Sequence, residues 1–115
     1  FGHAAESVLG FGAIAHGTLV VWGSLCALRM GERLGLTPSA YVEEVTQLAE
    51  SLGYPLRIQL PSGKTVEDLY TLMQSDKKKR AGQVRFVLQA GQGKTMLQAV
   101  DREDVMFALD GGIVH

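Results

Sequence analysis

The sequence predicts a mainly α-helical domain with one small β hairpin. Apolar residues recur at helical spacing through most of the chain, and start and stop signals divide it into separate helices. Two short strand-like segments, residues 84–89 and 96–100, are separated by glycines at 91 and 93, which is typical of a hairpin. A chain of 115 residues is expected to form a single domain around one modest core.

Three helices are predicted in the first half of the chain, over residues 3–9, 16–34 and 38–52. Gly10 ends the first of these helices and Gly35 ends the second, since glycine is the usual residue just beyond a helix. Thr37 is a predicted cap for the third helix, and Pro38 suits its first position, where no backbone donor is needed.

The second half of the chain begins with a short extended segment, residues 56–60, and a turn at 61–63. Thr65 is predicted to cap a fourth helix that ends near Asp76. The hairpin follows, and Asp101 is predicted to cap a last helix through Leu109. The glycine pair at 111–112 is predicted to end the ordered part.

Residues 7–28 form an apolar segment whose only ionisable side chains are those of His16 and Cys26. At about 1.5 Å per residue a helix of this length could span a bilayer. Four glycines interrupt it, however, and His16 would lie near the bilayer centre, where a histidine is costly. We therefore predict no membrane span, but a helix that is buried on nearly all sides within a folded domain.

The overall composition limits the expected partners and compartment. Acidic and basic residues nearly balance, with a net charge of −1, so neither nucleic acid nor an anionic membrane is an expected partner. Cys26 is the single cysteine, which excludes an internal disulfide and fits a reducing compartment. The chain starts at Phe1, and its apolar pattern begins at once, which favours a portion of a longer protein.

His3 and His16 are the first candidates for a functional site. Each is adjacent to a glycine, and a short connection joins their two helices, so both could face one cleft. Histidine serves as a metal ligand and as an acid or base near neutral pH, but two histidines do not complete a zinc site. Glu6, one turn after His3, could orient the His3 imidazole. The alternative is two histidines that only form hydrogen bonds and a solvated glutamate.

Four cations follow Asp76 in the sequence, at residues 77–80. Such a cluster can bind a phosphate or a carboxylate, although a solvated basic loop is the alternative. No Gly-x-Gly-x-x-Gly fingerprint opens a strand-to-helix turn, so the chain is not expected to bind a dinucleotide on its own.

Together these elements resemble 3-dehydroquinate synthase. Residues 2–6 are similar to the family's Gly-His-Ala-x-Glu element, residues 16–23 to its His-Gly-x-x-Val-x-x-Gly helix, and residues 73–78 to its Met-x-x-Asp-Lys-Lys. Gly53-Tyr54-Pro55 stands where the family often has Gly-Leu-Pro, and residues 85–88 follow its terminal ribbon. The resemblance follows the chain in order and covers nearly all of it.

The resemblance implies that residues 1–115 are the carboxy-terminal helical domain of a longer two-domain enzyme, whose amino-terminal domain binds NAD. Enzymes of this family use NAD and a divalent metal, zinc or cobalt, at a site between the two domains. They are lyases of the shikimate pathway of aromatic amino acid biosynthesis. They convert 3-deoxy-D-arabino-heptulosonate 7-phosphate, a sugar acid phosphate, to 3-dehydroquinate and phosphate. A cytoplasmic location and a homodimer are also implied.

The resemblance also assigns roles to individual residues. His16 is similar to one of three metal ligands, and His3 resembles the active-site histidine that contacts substrate and assists proton transfer. Lys77, together with Lys78, resembles the lysine that binds an anionic substrate group. The other two metal ligands, a histidine and a glutamate, are expected in the sequence that precedes this segment.

Three positions depart from the family pattern and leave alternatives open. Thr18 and Ser24 stand where the family commonly has glutamate and methionine, and Trp22 replaces a smaller residue. Another sugar phosphate cyclase, such as a deoxy-inosose synthase, would share the histidines and lysines. An iron-dependent alcohol dehydrogenase is disfavoured by the Asp-Lys-Lys element. The alternative from another class is a non-catalytic helical module that oligomerises through the apolar helix around Trp22.

Overall fold

The computed structural model describes residues 1–10, 14–78, 85–91 and 93–114 of the chain. Its elements follow the order α1 (Gly2–Leu9), α2 (His16–Arg33), α3 (Ser39–Ser51), α4 (Val66–Lys78), β1 (Arg85–Gly91), β2 (Lys94–Ala99) and α5 (Arg102–Gly111). The predicted mainly helical fold with one hairpin is confirmed, and the bounds of the elements nearly coincide with those expected from the sequence. Val84, the predicted first residue of the hairpin, lies outside the described residues.

Helix α2 is the central element, since α1, α3, α5 and β1 all pack against it. Its core-facing side chains, Leu19, Trp22, Leu25, Cys26, Leu28 and Met30, are all buried. The prediction that this helix is buried on nearly all sides is wrong on one face. His16, Val20 and Ser24 recur every four residues and are exposed, so they form a single solvent-facing stripe. Within the described residues no helix is long and apolar enough to cross a membrane.

Cys26 belongs to this core and is fully buried. Burial raises the pKa of its thiol to about 11, although the positive charge of Arg29 opposes the shift. The thiol therefore stays protonated near neutral pH, and we assign it a packing role.

The predicted end of α2 at Gly35 is confirmed, whereas the start of α4 differs from the prediction. Gly35 has a φ of 73° and ends α2, and the backbone N–H of Leu36 donates to the carbonyl of Gly31 at 2.9 Å. At the start of α4 the Asp68 carboxylate accepts hydrogen bonds from the backbone N–H of Thr65 at 2.8 Å and from its hydroxyl at 3.3 Å. The side chain that satisfies a backbone donor here is therefore that of Asp68 in the first turn, and not that of the predicted cap Thr65.

The predicted cap at Thr37 is wrong. Helix α3 begins at Ser39 with Pro38 in the N-cap position, and no side chain makes a capping hydrogen bond there. Thr37 is instead buried against Gly31, and its backbone N–H donates to the Gly31 carbonyl at 3.1 Å. Packing against the end of α2 has therefore replaced the capping role that the local sequence suggests.

The hairpin and the residues that follow α5 contribute buried side chains to the core. Strands β1 and β2 are antiparallel, with Leu88 opposite Met96, and the Leu88 side chain is fully buried. The expected end of order at residues 111–112 is wrong, because Ile113 is buried and pairs in parallel with Ile58. The backbone N–H of Ile58 donates to the Gly112 carbonyl at 2.9 Å. This contact joins the segment after α3 to the end of the chain.

Candidate active site

A groove lies between α1 and α2, on the face of α2 that the core leaves exposed. It encloses about 300 Å³. We call it the α1–α2 groove, and it is lined by Phe1, Gly2, His3, His16, Leu19, Val20, Gly23, Ser24 and Ala27. Both histidines singled out in the sequence therefore line one concave surface, as predicted.

Two glycines bring α1 and α2 into backbone contact beneath this groove. A β-carbon at Gly23 would lie 2.9 Å from the backbone nitrogen of Gly2. A β-carbon at Gly2 would lie 2.8 Å from the carbonyl oxygen of Leu19. Both distances are shorter than real contacts, so only glycine permits this approach of the two helices. The close approach fixes the position of His3 on α1 relative to His16 on α2.

We expect Gly23→Ala to push α1 away from α2 and to lower the free energy of unfolding by about 1–3 kcal/mol. The atoms that the new methyl group would meet belong mainly to the Gly2 backbone, which cannot turn aside as a side chain would. Chemical denaturation measures this change. Gly17→Ala is the matched control, because it lies on the same helix and its β-carbon would meet nothing within 4 Å. Equal effects of the two substitutions would contradict close packing at Gly23.

His16 is hydrogen-bonded to Glu6, a residue of α1 that is not among those lining the groove. The distance between His16 Nδ1 and Glu6 Oε2 is 2.7 Å. The His16 side chain is 77% exposed, whereas the Glu6 side chain is only 16% exposed. The sequence suggested that Glu6 orients the neighbouring His3, but the described contact joins it to His16 on the next helix.

His3 lies on the first turn of α1, is exposed to solvent, and lines the same groove. Its position allows contact with a molecule bound in the groove, as the resemblance requires. Its role in proton transfer stays a prediction.

Lys77 and Lys78 form the last turn of α4, which packs against α1. The remaining cations of the basic run, Lys79 and Arg80, lie outside the described residues, as do the side chains of both helical lysines. The anion-binding role that the resemblance gives to Lys77 and Lys78 therefore stays a prediction.

The three departures from the family pattern occupy different environments. Ser24 lines the α1–α2 groove, and its hydroxyl donates to the Val20 carbonyl at 2.9 Å. Thr18 is partly exposed near the start of α2. Trp22 is fully buried, and its indole Nε1 donates to the Gly112 carbonyl at 2.8 Å. Of the three, Ser24 is thus the one placed to contact a ligand in the groove, and Trp22 is not available as an exposed interaction surface.

The described residues contain no group of three or more His, Cys, Asp or Glu side chains that could hold a metal ion. The donor that fits a metal is the His16 imidazole, which is exposed and uses one ring nitrogen in its contact with Glu6. A complete site needs three protein ligands, so at least one must come from outside the part of the chain that the structure describes.

Comparisons with known proteins agree with the motifs. Residues 1–79 match the family model described as 3-dehydroquinate synthase C-terminal. The 3-dehydroquinate synthases of Bacillus cereus (strain AH820) and Bacillus anthracis are each 38% identical over 109 residues, which is 95% of this chain. The chain spans 29% of the length of these curated relatives.

A solved structure shares the fold. It is a crystal structure of 2-deoxy-scyllo-inosose synthase complexed with carbaglucose-6-phosphate, NAD+ and Co2+. The match has a TM-score of 0.79 and 23% sequence identity, and it covers 96% of this chain and 32% of that one. At this identity the likeness establishes the fold.

Proposed function

This chain belongs to the 3-dehydroquinate synthase C-terminal family, and from that premise we propose that it is the helical metal and substrate domain of a 3-dehydroquinate synthase. The complete enzyme would convert 3-deoxy-D-arabino-heptulosonate 7-phosphate to 3-dehydroquinate with elimination of phosphate. The observation that carries the proposal is that His3 and His16, the histidines of the two family motifs, line the same groove.

We propose that a domain preceding this chain supplies the NAD site and the remaining metal ligands. The short span of the chain relative to its curated relatives supports this division. The cyclase of similar fold was solved with NAD+ and Co2+, which supports the same two cofactors here. A cytoplasmic location and a homodimer stay predictions.

His16 would hold the divalent metal, zinc or cobalt, through the ring nitrogen that Glu6 does not engage. A bound metal of this kind supplies a Lewis acid that polarises substrate oxygens. The contribution of His16 is to fix the ion at the edge of the groove, where the described residues leave the imidazole exposed.

His3 and the lysines would act on the substrate itself. His3, on the opposite wall of the groove, would hold or move a proton on a substrate oxygen. Lys77 and Lys78, at the end of α4, would bind the anionic end of the substrate. Together these groups position the substrate, which is a large part of the catalytic task in a reaction of this kind.

The test is an assay of the complete protein with NAD and cobalt against two substrates. One is 3-deoxy-D-arabino-heptulosonate 7-phosphate, and the other is glucose 6-phosphate, whose carbocyclic analogue is bound in the similar cyclase. We expect phosphate release with the first substrate alone, and no turnover by residues 1–115 without the preceding domain. Turnover of glucose 6-phosphate alone would assign the second candidate, a deoxy-inosose synthase, whose fold the solved structure shares.

A further inference from the structure

The hydrogen bond between Glu6 and His16 joins helix α1 to helix α2. The carboxylate extends from α1 and the imidazole stands at the first residue of α2. Because Gly2 and Gly23 lack side chains, the backbones of α1 and α2 pack directly against each other. This main-chain packing sets the relative position of the Glu6 and His16 side chains. The 2.7 Å distance between Nδ1 and Oε2 is that of a short, charge-assisted hydrogen bond.

The unequal exposure of the two groups argues against a simple surface ion pair. The His16 side chain is 77% exposed, but the Glu6 side chain is only 16% exposed. Burying a carboxylate costs free energy unless the group is hydrogen-bonded. The hydrogen bond to the His16 imidazole offsets this cost and therefore favours the conformation of Glu6 that makes it. An exposed pair of long, mobile side chains would lack this constraint.

The contact fixes which ring nitrogen of His16 is free. An ionised carboxylate accepts hydrogen bonds and donates none, so the nitrogen facing Glu6, Nδ1, must carry the hydrogen. In the neutral ring the other nitrogen, Nε2, then holds the lone pair that a metal requires. A histidine ligand is commonly oriented in this way by a carboxylate on its second nitrogen.

We propose that Glu6 is a positioning residue, which holds His16 in the tautomer and orientation that present Nε2 to the divalent metal. The inference rests on the proposed function, because it takes His16 as a metal ligand. Glu6 would act without contacting the ion itself. Its contact with His16 depends on the close packing of α1 against α2.

Two substitutions in the complete protein test this role. Glu6→Gln keeps the length of the side chain and one acceptor oxygen but removes the charge, whereas Glu6→Ala removes the acceptor altogether. We expect zinc affinity, measured by competition with a chromophoric chelator, to fall about tenfold in the first variant and about 100-fold in the second. Glu44→Gln is the matched control, because Glu44 is an exposed helical glutamate on α3 and should leave the affinity unchanged.

A spectroscopic measurement separates positioning from a merely structural role. In the metal-free protein, long-range ¹H–¹⁵N correlations of the His16 ring should show the hydrogen on Nδ1. In Glu6→Ala the ring should return to a mixture of tautomers while circular dichroism shows the helices intact. An unchanged tautomer, or equal zinc affinity in the wild type and both Glu6 variants, would overturn the proposal.

Failure of this inference is distinguishable from failure of the proposed function. If His16→Ala abolishes zinc binding while both Glu6 variants bind zinc normally, the metal role of His16 stands and the positioning role of Glu6 is wrong. If His16→Ala itself leaves zinc binding unchanged, the metal role of His16 is wrong, and with it both proposals.

Discussion

His16→Ala in the complete protein should weaken binding of zinc or cobalt by more than about 100-fold. Loss of a residue that only orients a metal ligand typically costs 10- to 100-fold in metal affinity, so loss of the ligand itself should cost more. The imidazole lines the α1–α2 groove and is 77% exposed, so it is accessible to an ion. Competition with a chelator of known affinity measures the change.

His3→Ala is the matched control for this substitution. His3 lines the same groove, but we assign it to proton transfer on the substrate and not to the metal. We therefore expect His3→Ala to keep the metal affinity and to lower kcat, whereas His16→Ala loses both. Unchanged metal affinity in His16→Ala would contradict the metal site and would favour a non-catalytic interaction module.

The sequence alone placed His3 and His16 on two helices joined by a short connection, because glycine signals and apolar periodicity are local properties. It also indicated that both could face one cleft. The helix ends at Gly10 and Gly35 were predictable for the same reason. The family motifs added roles to these residues, and the structure shows that both of them line the α1–α2 groove.

The partner of Glu6 was not predictable in this way. Spacing along one helix suggested His3 as its partner, since residues three apart share a helical face. The described contact with His16 depends on how closely α1 approaches α2, which the glycines at positions 2 and 23 decide. The glycines at positions 2 and 23 are the sequence signal of this contact, but only the packing of α1 against α2 shows that they face each other.

Thr37 and Trp22 show the same limit within the core. The capping role of Thr37 was inferred from its neighbour Pro38, but tertiary packing against Gly31 places Thr37 elsewhere. Trp22 was a candidate for an exposed oligomerisation surface, but its indole reaches the carbonyl of Gly112, 90 positions away in sequence. Contacts between residues so far apart in the sequence produce no local sequence pattern, so they could not be predicted from it.

Trp22→Ala should lower the free energy of unfolding by about 3–5 kcal/mol, the range for removal of a buried tryptophan. The Trp22 side chain is 0% exposed and is one of the largest buried side chains of the core. Its removal therefore leaves a cavity in the core beside the middle of α2. The substitution also deletes the hydrogen bond from Nε1 to the Gly112 carbonyl, although the backbone N–H of Ile58 still donates to that oxygen. Urea denaturation followed by far-UV circular dichroism measures the loss.

Val20→Ala is the matched control, since Val20 lies on the same helix but is 50% exposed, and we expect it to change stability by less than about 1 kcal/mol. Size-exclusion chromatography measures the oligomeric state of both variants and so distinguishes a core role of Trp22 from a role in an interface. A core role predicts that Trp22→Ala unfolds at lower urea concentration. If instead the variant kept its stability and only dissociated into smaller species, Trp22 would be an interface residue, and the packing of α2 against the segment around Gly112 would be wrong.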